Sequence, residues 1–144
     1  MKTRYIYLML LPLLILPNLS TGQAERTFVK SFNLQGHQTV NLNLGDNVQV
    51  IQWDSELMRI QMTVSTPSVN DGMLKSIAES GRYMLKNDVT VQSYVVTVPS
   101  IERSIKINGN EVKETISYVV YAPRNVTVQR NIEAKVKIVA KLNP

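Results

Sequence analysis

The residues able to carry chemistry are few in this chain, and their types narrow the reactions open to it. Among 144 residues there is one histidine, His37, and no cysteine. A serine nucleophile needs a base to take its proton, and a single imidazole leaves almost no choice of one. The usual zinc sets draw on several histidine, thiolate or carboxylate ligands, which one histidine and no thiolate do not supply. His37 stands just before an alternating run, with Asp46 at the far end of the same expected hairpin as its nearest acid in sequence. It reads as a turn residue on the surface. Asp46, Asn47, Asp54 and Glu56 gather oxygens along the chain, but the regular loop spacing by which an EF-hand surrounds calcium is absent, so two solvated turns are the simpler reading. Eleven acidic side chains keep a carboxylate pair for sugar hydrolysis open, with no spacing that favours one pair over another. Patterns for a nucleophile elbow, a phosphate loop or a zinc-binding His-Glu-x-x-His helix do not occur. No catalytic residue, cofactor or metal is expected.

What remains is a surface for binding. Trp53, Tyr94 and Tyr121 supply amphipathic rings that sit at sheet faces and strand ends, and Lys135, Lys137 and Lys141 supply positive charge near the end of the chain. These six residues form the expected interaction surface, although rings at the rim of a core and solvated lysines would look the same in sequence. Tyr118 and Tyr121 have opposite parity, so a regular strand turns only one of them inward.

The elements that must position these residues follow a leader. Lys2 and Arg4 open the chain, Tyr5 to Leu16 is apolar with Pro12 within it, and residues 17–24 turn polar and small. Twelve residues of helix at ~1.5 Å each reach ~18 Å, short of the ~30 Å hydrocarbon core. The stretch reads as a secretory signal peptide over 1–24, cleaved after Ala24 or after Gly22, rather than a membrane anchor. Its loss leaves 14 basic and 11 acidic side chains, a net charge near +3, too mild to point to nucleic acid. With no cysteine there is neither a disulfide staple nor a site for lipid attachment, so the product is expected in the periplasm or outside the cell, and not as a lipoprotein. Residues 25–144 are long enough for one core and too short for two ordinary domains.

Period two dominates that domain. Phe28 and Phe32 share a face in a first strand, Val40, Leu42 and Leu44 alternate with asparagines, and Ile60, Met62 and Val64 alternate with polar residues. Between them, Val48 to Trp53 reads as a strand whose parity slips at Val50-Ile51, as a bulge or burial on both faces would require. One helix is expected near 69–80, capped by Ser68 with Asp71, holding Val69, Met73, Leu74 and Ile77 on one side and ending at Gly81. Further strands start at Tyr83 and run from Val89 to Val98, with a turn at Asn87-Asp88 between them. Asn108-Gly109 suits a two-residue hairpin turn in which both residues need positive φ, and the return strand is expected to run on to Ala122-Pro123. A last strand would carry Ala134, Val136, Ile138, Ala140 and Leu142 on one face and the three lysines on the other. The fold class is therefore all-β: an antiparallel-rich sandwich or rolled sheet of eight to ten strands with one short helix.

Several of these stretches, taken together, carry a resemblance. Gly45-Asp46-Asn47-Val48-Gln49-Val50 leading to Trp53-Asp54, then Gly81-Arg82-Tyr83, Asn108-Gly109, Glu114 to Tyr118 and Ala122 to Val128 resemble a small exported protein of Bacteroidota-type bacteria. More distantly they resemble adhesin-like β domains of unknown function. The resemblance implies a non-enzymatic exported domain that contacts an envelope protein or a glycan, with no catalytic residues to carry over. Two other functions stay open: a small carboxylate-based hydrolase acting on carbohydrate, and an accessory subunit that binds by β-strand addition.

Overall fold

The computed structural model describes residues 23–130. Most of the expected leader, and the final segment with Lys135, Lys137 and Lys141, lie outside these residues. The described part is mainly β and has ten strands and one α-helix. The strands are β1 (Ala24–Asn33), β2 (Thr39–Asn43), β3 (Val48–Trp53), β4 (Leu57–Thr66), β5 (Lys86–Val89), β6 (Tyr94–Thr97), β7 (Lys106–Ile107), β8 (Asn110–Glu111), β9 (Thr115–Pro123) and β10 (Thr127–Arg130); the helix is α1 (Asp71–Glu79). Among the described residues no helix is long and apolar enough to cross a membrane.

Alternation decides where the core lies. In β4, Met58, Ile60, Met62 and Val64 are completely buried, while Arg59, Gln61 and Thr63 point the other way. Burying each such side chain contributes roughly 1.5–3 kcal/mol, which commits the strand to the middle of a sheet. It pairs antiparallel with β1 along its whole length and antiparallel with β9 from Arg59 to Ser65. β9 in turn pairs parallel with β3, so the first sheet runs β1-β4-β9-β3. The second runs β10-β2-β6-β5, with parallel pairing of β10 to β2 and β2 to β6, and antiparallel pairing of β5 to β6. Val40, Leu42 and Val96 of this sheet join Met58, Ile60 and Val120 of the first in one contiguous core. Four of the seven pairings are antiparallel, including the longest.

Several local expectations meet their structural outcome here. Asn108 and Gly109 take φ of 51° and 83°, the positive values a two-residue turn demands. The hairpin they close is small, however. β7 and β8 have two residues each, and the return strand stops at Glu111 before β9 restarts at Thr115 in a different sheet. Asn87 and Asp88 do not turn; they lie within β5. The turn comes at Val91-Gln92, where the Thr90 amide donates to the Ser93 carbonyl at 2.9 Å and the Thr90 hydroxyl accepts from the Ser93 amide at 3.0 Å. Tyr83 and Leu85 are buried but belong to an irregular segment rather than a strand.

The helix is capped two residues later than expected. Asn70 Oδ1 accepts from the Met73 amide at 2.9 Å, satisfying an otherwise orphan donor, while Ser68 Oγ accepts from the Lys113 amide instead. Asp71, freed from capping, pairs with Arg26 at 2.7 Å. Leu74 is the completely buried anchor, Met73 faces solvent, and Gly81 ends the helix at φ 86° as its position foretold. At the start of β1, Ala24 is buried opposite Thr66. β1 thus begins at the last residue of the expected leader, 1–24.

Candidate interaction surface

One face of the first sheet packs on the core and the other faces solvent. Register assigns the residues of the outer face. Val29, Gln61, Val119 and Gln49 form one row across β1, β4, β9 and β3; Ser31, Arg59, Tyr121 and Ile51 form the next. Leu57 and Trp53 continue the face beyond it, opposite Asn33 and Pro123. Val29 is 57% exposed, Leu57 42% and Ile51 37%, so this is an apolar surface open to solvent. The parity slip expected at Val50-Ile51 is not a bulge. β3 pairs regularly with β9 through Trp53, and it is the edge strand of its sheet among the described residues, with apolar residues on both faces.

Trp53 and Tyr121 hold one end of this surface together. Their ring centroids lie 5.4 Å apart at 41°, and the Arg59 guanidinium carbon sits 4.8 Å from the indole centroid. Such a cation over the electron-rich ring face is held by the ring's quadrupole, here with the guanidinium still wet on its other side. The indole Nε1 donates to the Leu57 carbonyl at 2.9 Å. Because Leu57 is on β4 and Trp53 on β3, the indole must lie across the end of β9, half-buried, with its polar edge satisfied. Below it, Asp54 and Arg124 form a forked pair, Nε to Oδ1 at 2.5 Å and Nη2 to Oδ2 at 3.3 Å, which holds the carboxylate that calcium would have needed.

The structure thus brings Trp53 and Tyr121 together and removes Tyr94 from their company. Tyr94 alternates with Val95 on β6 in the second sheet, is 1% exposed, and points into the core with its ring edge-on to His37 at 5.7 Å. Burial raises its phenolic pKa. Lys135, Lys137 and Lys141 lie outside the described residues. His37 is held on both sides, Nδ1 2.8 Å from the Leu34 carbonyl oxygen and Nε2 2.9 Å from that of Thr90, so it links two turns of the sandwich. Among the described residues no three histidine, aspartate or glutamate side chains converge as metal ligands would.

A second polar constellation went unnoticed in the sequence. Arg82 Nε and Nη2 donate to both oxygens of Glu114, at 2.9 and 2.5 Å, and Nη1 donates to the carbonyls of Ser100 and Arg103. Tyr83 Oη donates to Glu114 Oε1 as well. The side chains of Arg82 and Glu114 are only 10% and 8% exposed. Hydrogen bonding to the carboxylate holds the guanidinium pKa above its usual value, and burial, then the bond to Glu114, pushes the Tyr83 phenol up. With Arg82 and Tyr83 donating to it, Glu114 is engaged within the protein, and the cluster clamps the segment after α1 to the start of β9 and to the backbone at Ser100 and Arg103. The one signal in sequence was the Arg-Tyr pair directly after Gly81; its partner lies 32 residues away, with no pattern to announce it.

This chain matches no protein-family model, no curated protein and no solved structure.

Proposed function

We propose that this is a non-enzymatic exported domain that docks another protein of the bacterial envelope onto the outer face of its first sheet. The observation that carries this reading is the Trp53–Tyr121–Arg59 cluster surrounded by exposed Ile51, Leu57 and Val29. Tryptophan, tyrosine and arginine are the residue types that dominate binding energy at protein interfaces, and they do so when apolar neighbours exclude water around them. The rings are held in place by one another and by the Leu57 carbonyl, so little side-chain freedom remains to be lost on binding. The export reading rests on the leader-like first 24 residues, and the resemblance to adhesin-like β domains agrees with a binding role.

The face can be tested with a photo-crosslinking residue at Ile51, and with the same residue at Val91 in the β5–β6 turn as the control. In intact cells the Ile51 probe should capture a discrete envelope protein, and Arg59→Glu should abolish the capture. Equal labelling from both positions would overturn the reading. A glycan array signal that disappears with Trp53→Ala, without any protein captured, would move the ligand to carbohydrate.

A further inference from the structure

β2 and β6 are parallel neighbours in the second sheet, with Val40 opposite Tyr94, so the turns that lead into them end side by side. One is the β1–β2 turn, which holds His37; the other is the β5–β6 turn, which Thr90 and Ser93 close. A tight hairpin can join antiparallel strands but not parallel ones. His37 spans the gap instead. Its Nδ1 lies 2.8 Å from the Leu34 carbonyl oxygen within its own turn, and its Nε2 lies 2.9 Å from the carbonyl oxygen of Thr90, 53 residues away in the other.

A carbonyl oxygen only accepts, so each of these contacts needs a proton on the ring nitrogen. A neutral imidazole has one such proton and an imidazolium has two. Both bonds together therefore require the cation. Loss of a proton sets a nitrogen lone pair against a carbonyl oxygen at one of them, and the geometry selects which. The Leu34 carbonyl also accepts from the His37 amide at 2.9 Å, so the backbone keeps Nδ1 beside it for as long as the turn is formed. Gln35, at φ 52° with its amide donating to Asn33 Oδ1, and Gly36, at φ 83°, give the turn that shape. Nδ1 keeps its proton, in the frequent pattern of an Nδ1–H bonded to a backbone carbonyl. Nε2, whose contact with Thr90 is the more exposed of the two, gives its proton up.

We propose that His37 is a proton-operated tie: the imidazolium joins the β5–β6 turn to the β1–β2 turn, and the neutral ring releases it. Histidine is the side chain whose charge ordinarily changes between about pH 5 and 8, so the tie closes in mild acid and opens above it. Once released, the β5–β6 turn keeps its internal bonds, Thr90 amide to Ser93 carbonyl and Ser93 amide to Thr90 hydroxyl, and the Thr90 carbonyl passes to water. Val91, 99% exposed at the tip, moves with it. Three titratable groups surround the ring. Tyr94 of β6 lies edge-on to it at 5.7 Å, and burial raises its phenol, which keeps it neutral over this range. Glu56, between β3 and β4, lines the same pocket of about 440 Å³ as His37, and Asp88 of β5 stands two residues before Thr90; both carboxylates are exposed. The β9–β10 turn brings Pro123, Asn125 and Val126 to that pocket, and none of them ionises. The tie works in the same way whatever binds the outer face of the first sheet.

NMR of the full chain, with no added histidines, decides the matter, because His37 is the one histidine and its ring signals are unambiguous. Both ring nitrogens should be protonated at about pH 5, and Nδ1 alone at about pH 8. The Thr90 carbonyl and Val91 amide signals should shift together with the ring, while those of the buried Ile60 and Val120 stay in place. His37→Gln puts a carboxamide N–H near the position of Nε2 and has no proton to lose. In that variant the Thr90 and Val91 signals should stay constant over the same pH range. A neutral ring protonated at Nε2 in the unaltered chain would overturn the proposal without any variant. So would Thr90 and Val91 signals that stay fixed while the ring titrates, or that keep their pH response in His37→Gln, which would assign it to Glu56 or Asp88.

Discussion

Two arginine–carboxylate pairs of nearly the same geometry sit in opposite surroundings in this molecule. Arg82 and Glu114 meet through two nitrogens and two oxygens with side chains about a tenth exposed or less; Arg124 and Asp54 meet in the same forked way with side chains 68% and 79% exposed. The first pair belongs to the flank where α1 and the segment after it close the sandwich. There Phe28 of β1 packs on Tyr83 with ring centroids at 5.4 Å, Lys30 Nζ donates to the Leu85 carbonyl, and Arg26 reaches Asp71 on the helix. The second pair lies at the end of β3, beside a cleft between β3 and β10 lined by Val50, Gln52, Arg124 and Val128. Helix and clamp keep water from one edge of the core, whereas the other keeps an exposed valine and unpaired backbone among the described residues. The lesson is that the shape of an ion pair says little about its worth; the solvent around it decides.

That contrast can be broken most severely at the buried pair. Glu114→Ala leaves the Arg82 guanidinium enclosed without its counter-charge, and removing one partner of such a pair costs about 3–5 kcal/mol. A fall in the urea midpoint that corresponds to that loss, with the slope of the transition unchanged, is the expected result; a loss under ~1 kcal/mol would show that water reaches the cluster.

A smaller effect sharpens the comparison from the core itself. Burial pushes the Tyr118 phenol up to about 12 from its ordinary 10. The folded chain therefore holds this proton more tightly than the unfolded chain does. The stability it contributes is complete below pH 10 and is lost as pH rises from 10 to 12, by about 2–3 kcal/mol in all. Burial raises the Tyr83 and Tyr94 phenols too, so all three act in the same direction. Denaturation titrations between pH 9 and 12 should show the fall, and Tyr118→Phe should make it shallower. An unchanged slope in that variant would mean that the tyrosine ionises as freely folded as unfolded.

The smallest change belongs to the exposed pair. Asp54→Asn should leave the urea midpoint where it is, at low and at high salt alike, because a solvated pair is screened and its ordering offsets its attraction. A salt-sensitive loss of stability would place this pair in the same class as the buried one and remove the distinction between the two flanks.

How much of this was legible depended on how far apart the interacting residues lie along the chain. The Asn108-Gly109 turn was readable because steric limits on φ act within a residue. The alternations in β2 and β4 were readable because a strand buried on one face must repeat every second residue. The cap of α1 was misplaced because Ser68 and Asn70 are both competent acceptors, and only the approach of Lys113 from the hairpin settled which amide Ser68 would take. The Arg82–Glu114 clamp was invisible, since two charges 32 residues apart leave no period in the sequence. Of the expected binding surface, Trp53 and Tyr121 lie on one open face, Tyr94 lies in the core, and the three lysines fall outside the described residues.

By itself the sequence determined the class of structure, the inward set of each clean strand and the conformation of one turn, because these follow from forces acting between near neighbours. For strands apolar on both faces, which side meets the core and which meets solvent was decided only in three dimensions. Tyr94 and Tyr121 sit in equally β-branched surroundings, and one is enclosed while the other supports Trp53 at the surface. Parity gives each strand two faces, but burial is a property of what another part of the chain places against them.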